Sequence, residues 1–273
     1  MNNINIKLRQ PFFSFGVENY AEQYVCSPFV ELFYKFSTQK TIDRSNRDYF
    51  MVCIPDGCVD VLFIRQNDRY RIELIGTPVC HKHLIVYPEA EYFGMRLQPG
   101  ISLPDFDVSI SEITDTETFV PQFSSTYYCL TEKIFASESF EERIALFMTH
   151  FNKYPSSAFM VNDAVQQIIR MIQESHGSMD ISEIAESICY SERHTNRIFS
   201  GIMGYSPKLF SRIVRFQYAV ENIMKSNDEP VSDLISSLSY SDQSHFQREC
   251  KEFTGLTPKQ FSHFCSEYIK KRG

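Results

Sequence analysis

The spacing of apolar positions changes character about half-way along the chain. Between Tyr49 and Pro99, short runs rich in valine, isoleucine and aromatic residues are separated by turn residues, the pattern of short strands. Tyr49 to Ile54, Val59 to Arg65, Tyr70 to Ile75, Lys82 to Tyr87 and Tyr92 to Gln98 are the predicted strands. Pro55-Asp56-Gly57, Asn67-Asp68, Gly76-Thr77-Pro78, Pro88-Glu89-Ala90 and Pro99-Gly100 interrupt them. Proline presets φ and glycine accepts positive φ, so Pro55-Asp56-Gly57 is expected to close a hairpin between the first two runs. Strands this short and evenly spaced suit an antiparallel barrel or sandwich.

After about Asp105 the apolar period lengthens to that of a helix. Ser139-Phe140-Glu141-Glu142 has the form of a capping box, and Ile144, Phe147, Met148 and Phe151 follow on one face. This stripe suits either a dimer seam or packing on the barrel. Residues 152–161, with Pro155-Ser156-Ser157, form a natural boundary between an N-terminal domain (1–155) and a helical C-terminal domain (162–271).

The helical C-terminal domain contains the same arrangement twice. Ile181, Ile184, Ala185 and Ile188 form a stripe on a short helix, a turn follows at Cys189-Tyr190, and Ser191 can cap a second helix through Met203. There Thr195, Ile198, Phe199 and Ile202 are expected to face inward, leaving Arg193, Asn196, Arg197 and Ser200 outside. In the second copy Val231, Leu234, Ile235 and Leu238, a turn at Ser239-Tyr240, and a helix from Asp242 to Phe253 repeat the pattern, with Phe246, Cys250 and Phe253 inward. Its outer face carries Gln243, Ser244, His245, Gln247, Arg248 and Lys251. Gly204-Tyr205-Ser206-Pro207-Lys208 and Gly255-Leu256-Thr257-Pro258-Lys259 close the copies 51 positions apart: a glycine ends one helix and a proline begins the next. Arginine and asparagine are the side chains that make bidentate hydrogen bonds to guanine and adenine edges. Two such faces, each on the second helix of a helix-turn-helix, point to duplex DNA.

The formal net charge of −7 argues against nucleic acid only if it is spread evenly. It is not: the acid is concentrated before residue 162, and between Tyr190 and Arg215 the bases Arg193, Arg197, Lys208, Arg212 and Arg215 face only Glu192. With 43% hydrophobic residues, no apolar run long enough for a bilayer and no leader-like start, the chain is expected to be cytoplasmic. Eight cysteines without CxxC spacing are read as small apolar residues, with a thiol sensor as the alternative.

The stretches Arg193-His194-x-x-Arg197-x-Phe199, Gly204-x-Ser206-Pro207-Lys208-x-Phe210-x-Arg212-x-x-Arg215-Phe216-x-x-Ala219 and Tyr240-Ser241-Asp242-Gln243-Ser244-His245-Phe246-x-Arg248-Glu249 resemble the AraC/XylS family of bacterial transcription regulators over about Ala164 to Tyr268. The resemblance implies an α+β protein. Its C-terminal domain has two helix-turn-helix units (about 181–203 and 231–254) joined by a linker helix (about 207–225). Carried onto this chain, Arg193, Asn196 and Arg197 read one major-groove segment and Gln243, Ser244, His245, Gln247 and Arg248 the next, while Lys208 and Lys259 hold phosphates. The family's turn glycines are replaced by Cys189 and Ser239, and a usual phenylalanine by Cys250.

Ile54-Pro55-Asp56-Gly57-Cys58-Val59-Asp60 and Gly94-Met95-Arg96-Leu97-Gln98-Pro99-Gly100 resemble the N-terminal domain of one branch of these regulators. This implies a small cupin-like β-barrel with flanking helices that binds an effector or dimerises. Phe63, Tyr87 and Phe93 are its candidate pocket residues, although the same rings can simply fill the barrel. No cofactor is expected. The expected partners are double-stranded DNA, a small-molecule effector, a second copy and, for an activator, RNA polymerase. The rival reading is a metal- or thiol-dependent sensor or enzyme, with His81, His83 and Glu89 as its metal candidates.

Overall fold

The computed structural model describes residues 6–14, 16–39, 50–102, 106–119, 125–159, 162–225, 240 and 242–272. The strands are β1 (Glu18–Tyr24), β2 (Val30–Ser37), β3 (Phe50–Cys53), β4 (Asp60–Gln66), β5 (Arg69–Ile75), β6 (Lys82–Ile85), β7 (Ala90–Leu97) and β8 (Glu117–Phe119). Six of them form an antiparallel sheet in the order β1-β2-β7-β4-β5-β8, while β3 and β6 pair separately.

Two expectations are corrected by this topology. Among the described residues the sheet does not close into a barrel, because its end strands β1 and β8 do not pair with each other. Nor do β3 and β4 form a hairpin, since β3 pairs with β6 and β4 lies between β5 and β7. Turn chemistry at Pro55-Asp56-Gly57 marks a change of direction without specifying a partner strand, and here the chain crosses from the small sheet to the large one. The hairpin joins β4 and β5 instead, where Asn67 (φ 49°) and Asp68 (φ 57°) occupy the two left-handed positions of a two-residue turn.

Both faces of the large sheet are covered, so β2, β4 and β7 carry apolar side chains in both directions. One face packs Phe33, Phe63 and Phe93 under helix α3 (Phe140–Phe151), whose Phe147 meets Phe33 and Phe63 at 5.7 and 5.8 Å between ring centres. The Ser139–Glu142 capping box starts α3, and its apolar stripe faces the sheet. Tyr34, Phe36, Leu62 and Tyr92 on the other face pack with Met51, Cys53 and Leu84 of the small sheet. Helices α1 (Ile110–Ile113) and α2 (Ser125–Ala136) complete this half of the chain.

Helices α4 (Asp163–Glu174), α5 (Ile181–Ser187), α6 (Glu192–Met203), α7 (Pro207–Lys225), α8 (Gln243–Thr254) and α9 (Pro258–Arg272) make up the rest. The predicted first helix of the second unit, with Val231, Leu234, Ile235, Leu238 and Ser239, lies outside the described residues. Among the described residues no helix is long and apolar enough to cross a membrane.

The sheet meets α7 through the 55–58 turn, and a buried charge network holds that turn in place. Arg96 on β7 grips Asp60 on β4 with two bonds of 2.8 Å and lies 3.3 Å from Asp56. Tyr34 also donates to Asp60, and Gln10 to Asp56. Burial raises the Asp56 pKa, with Arg96 opposing it. Held this way, Gly57 (φ 81°) lies against Phe210 so closely that an added Cβ would be 2.5 Å from the ring. Buried Gln217 of α7 donates to the Pro55 carbonyl (2.8 Å) and accepts from the Arg9 amide (2.8 Å).

Candidate nucleic-acid interface

Each described reading helix is positioned by a polar cap and a buried stripe. Ser191 Oγ accepts from the His194 amide at 3.3 Å to begin α6, and Thr195, Phe199 and Met203 are buried along it. Ile198 and Ile202, expected in the core, are only half-buried and flank that stripe. Asp242 accepts from the His245 amide at 2.7 Å to begin α8, and Phe246, Cys250 and Phe253 are fully buried. Gly204 (φ 79°) and Gly255 (φ 74°) end the two helices in the left-handed conformation.

Opposite the stripes, Arg193 and Arg197 are exposed on α6, and Asn196 donates to the Glu192 carbonyl at 2.9 Å. Arg197 Nη2 lies 3.1 Å from His194 Nδ1. On α8, Gln243, Ser244, Gln247 and Arg248 are exposed, with Arg248 Nε donating to the Ser244 carbonyl at 3.3 Å. Half-buried His245 sits 3.5 Å from Glu249. Lys208 and Lys259 are exposed at the second positions of α7 and α9, where Ser206 and Thr257 cap the helix starts.

The basic footprint is smaller than composition suggests. Arg212 of α7 bonds Glu249 and Glu252 of α8, each at 2.7 Å, and Arg215 reaches Glu249 at 3.4 Å. Burial opposes the Arg212 charge, yet the hydrogen bonds to Glu249 and Glu252 prevail and raise its pKa. These two bases therefore tie the linker helix to α8. A groove of about 720 Å³, lined by Lys208, Arg212, His245 and Arg248 and by residues 177–182, runs beside this tie. Tyr190, which the sequence does not single out as a site residue, is exposed with its ring 4.7 Å from that of His194. The signal that could have found it is the Tyr190/Tyr240 match between the copies.

The turn at Cys189 is left-handed (φ 57°), so the cysteine occupies a conformation that suits glycine. Fully buried Cys250 sits in a cluster that also contains Phe216, Phe261 and Phe12 of the N-terminal segment. The Phe12 ring lies 4.3 Å from that of Phe264, tilted by 33°, adding bulk to a core that cysteine alone leaves light.

Two of the three effector candidates meet, and the metal candidates do not converge on a site. Phe63 and Phe93 are fully buried and pack with Phe33 and Phe147 on the helix-covered face of the sheet. Tyr87 packs with the cluster on the opposite face, where its hydroxyl donates to Glu73 at 2.7 Å. His81 turns its Nδ1 to the Glu252 carbonyl at 3.0 Å, and His83 sits in β6 opposite Val52. No group of three or more His, Cys, Asp or Glu side chains able to hold a metal occurs among the described residues.

A family model described as a helix-turn-helix domain matches residues 184–263, and a domain of unknown function matches residues 25–119. An uncharacterized HTH-type transcriptional regulator of Staphylococcus aureus is 28% identical over 123 residues, covering 44% of this chain and 16% of that protein. The arabinose operon regulatory protein of Salmonella typhimurium is 26% identical over 112 residues, 41% of this chain and 39% of the relative. The matched regions thus span well under half of these relatives. Among solved structures, ToxT from Vibrio cholerae is 10% identical with a TM-score of 0.44, over 90% of this chain and 98% of that one. Residues 184–263, which contain α6 and α8, thus match a helix-turn-helix domain of the type found in AraC/XylS transcription regulators.

Proposed function

We propose that this protein is a cytoplasmic, sequence-specific regulator, an activator, that reads two successive major-groove segments on one side of the duplex. In this reading residues 162–271 are the DNA-binding domain. Arg193, Asn196 and Arg197 contact base edges in one segment, and Gln243, Ser244, His245, Gln247 and Arg248 in the next, about 34 Å away. Lys208 and Lys259 hold phosphates and set the register without reading sequence. Residues 1–155 control the output through a small-molecule effector or through dimerisation, and an activator of this kind touches RNA polymerase.

The observation that carries the reading is the matched construction of α6 and α8. Each has a capped start, a buried stripe, an exposed face bearing arginine, a left-handed glycine at the end and an exposed lysine two residues into the next helix. The test is recovery of genomic fragments by the purified protein, followed by titration at several salt concentrations. Specific fragments bound with a steep negative slope of log affinity against log salt are expected, because phosphate contacts release counterions. Binding to no fragment, or binding indifferent to salt, contradicts the proposal.

A further inference from the structure

The sheet-bearing half of the chain touches both reading helices in the last turn of each. Thr114, just after α1, donates its hydroxyl to the Met203 carbonyl at 2.7 Å, at the end of α6. A Cβ on the neighbouring Gly204 would lie 2.8 Å from Thr114 Cβ and 3.1 Å from Ser111 Cα. At the end of α8, His81 Nδ1 bonds the Glu252 carbonyl at 3.0 Å, and a Cβ on Gly255 would lie 3.1 Å from His81 Nε2. Gly204 and Gly255 are the equivalent glycines of the two repeats.

The two contacts belong to one hydrogen-bonded unit. Asp115 (φ 61°), next to Thr114, donates its amide to the Thr77 carbonyl (2.9 Å) and accepts the Val79 amide on Oδ1 (3.2 Å). Lys82, next to His81, forms an ion pair with the same carboxylate at 2.9 Å. Gly76 brings the loop so close to α1 that a Cβ there would sit 1.9 Å from the Ile113 carbonyl oxygen. Thr77 Oγ1 also accepts the Gly57 amide at 2.9 Å, joining the unit to the turn that packs on α7. Moving Thr114 relative to His81 therefore strains the bonds at Asp115, of which the carboxylate makes those to Val79 and Lys82 and the main chain the one to Thr77.

We propose that the loop 76–82 and Thr114–Asp115 form a brace that holds the ends of both reading helices and so sets the spacing between the two DNA segments they can read. The inference rests on the DNA-reading function proposed above. The linker helix and the Arg212–Glu249 tie hold the units to each other from inside the helical domain, and the brace fixes them from outside. Each base pair inserted between two half-sites moves the second about 3.4 Å and turns it about 34° around the axis, so a braced pair of helices tolerates little change.

The experiment uses the full chain. A bipartite site is selected from random DNA with the wild-type protein, and affinity is then measured on that site with one and two base pairs inserted between or deleted from its halves. The wild type is expected to lose about tenfold or more per step. Asp115→Ala, which removes the carboxylate bonds to Val79 and Lys82, and His81→Ala with Thr114→Val, which removes both side-chain contacts to the helix ends and leaves the longer His81 amide bond to Glu252, are each expected to reduce that penalty to about threefold or less, while affinity at the selected spacing falls only severalfold through lost preorganisation. Thermal unfolding confirms that the variants are folded, and their partly exposed sites make that the expected result. An unchanged spacing penalty in both variants overturns the brace and leaves the DNA-reading function standing. Failure of the wild type to select any bipartite site overturns the function itself.

Discussion

The two repeats share a sequence pattern, but their described second helices, α6 and α8, are held by different means. In the first unit α6 rests on apolar contacts: Phe199 is fully buried, packs 5.8 Å from Phe210 and 6.1 Å from Tyr205, and lies in the same core as Ile184 of α5. In the second, α8 is also stapled by charge, with nearly buried Glu249 between Arg212 and Arg215. The matched tyrosines diverge in the same way. Tyr190 is 41% exposed beside the reading face, whereas Tyr240 is 9% exposed under the Arg215 guanidinium at 5.0 Å. A duplicated scaffold thus keeps its caps and stripes while its polar contacts are reassigned. One repeat keeps its arginines on the exposed face of α6, and the other uses two bases of the linker helix to fix its orientation.

The largest effect that separates the units is expected at Phe199. Truncation to alanine removes a fully buried ring from an apolar support and is expected to cost about 3–5 kcal/mol, read as a fall in unfolding midpoint in urea. Replacing Arg212 and Arg215 together by alanine leaves Glu249 buried without those partners, and a loss of about 3 kcal/mol is expected. Salt distinguishes the two cases. Added salt is expected to leave the Phe199→Ala deficit unchanged and to shrink the other deficit slightly, because the Arg212–Glu252 pair is open to screening while the pairs to buried Glu249 are not. Phe12→Ala should lower stability by about 3 kcal/mol by removing a ring from the second unit's core; near-neutrality would mean that the N-terminal segment adds nothing there. The smallest effect is a gain. Cys189→Gly relieves a left-handed cysteine in the first unit's turn and is expected to stabilise by about 1 kcal/mol, seen as a higher melting temperature.

What the sequence reveals and what it hides follows from the range of each interaction. Caps, helix-ending glycines and the outward faces of α6 and α8 are local, and Ser139, Ser191, Asp242, Gly204 and Gly255 could be placed from neighbouring residues alone. The strands near Asn67-Asp68 are legible for the same reason. Pro55-Asp56-Gly57 signals a turn equally clearly, but the partner of β3 lies beyond β5, and the buried Arg96 that fixes the turn stands 36 positions from Asp60. Arg212 looks like a free base until a carboxylate 37 positions away claims it. His81 resembles a metal candidate because its partner is a main-chain carbonyl 171 positions distant, which no residue type announces. Strands β1 and β2 escape the pattern search. β2 buries side chains on both faces and loses the strict alternation expected of a half-exposed strand, and β1 is largely polar.

The central claim is that two reading helices address two separate stretches of DNA, and base-by-base specificity profiles of Arg197→Ala and Arg248→Ala on the selected operator test it most directly. Each variant is expected to lose about 1–3 kcal/mol of binding and to relax discrimination over a few base pairs, with the two relaxed patches about one helical turn apart. Relaxation of the same base pairs by both variants, or of none by either, would contradict it.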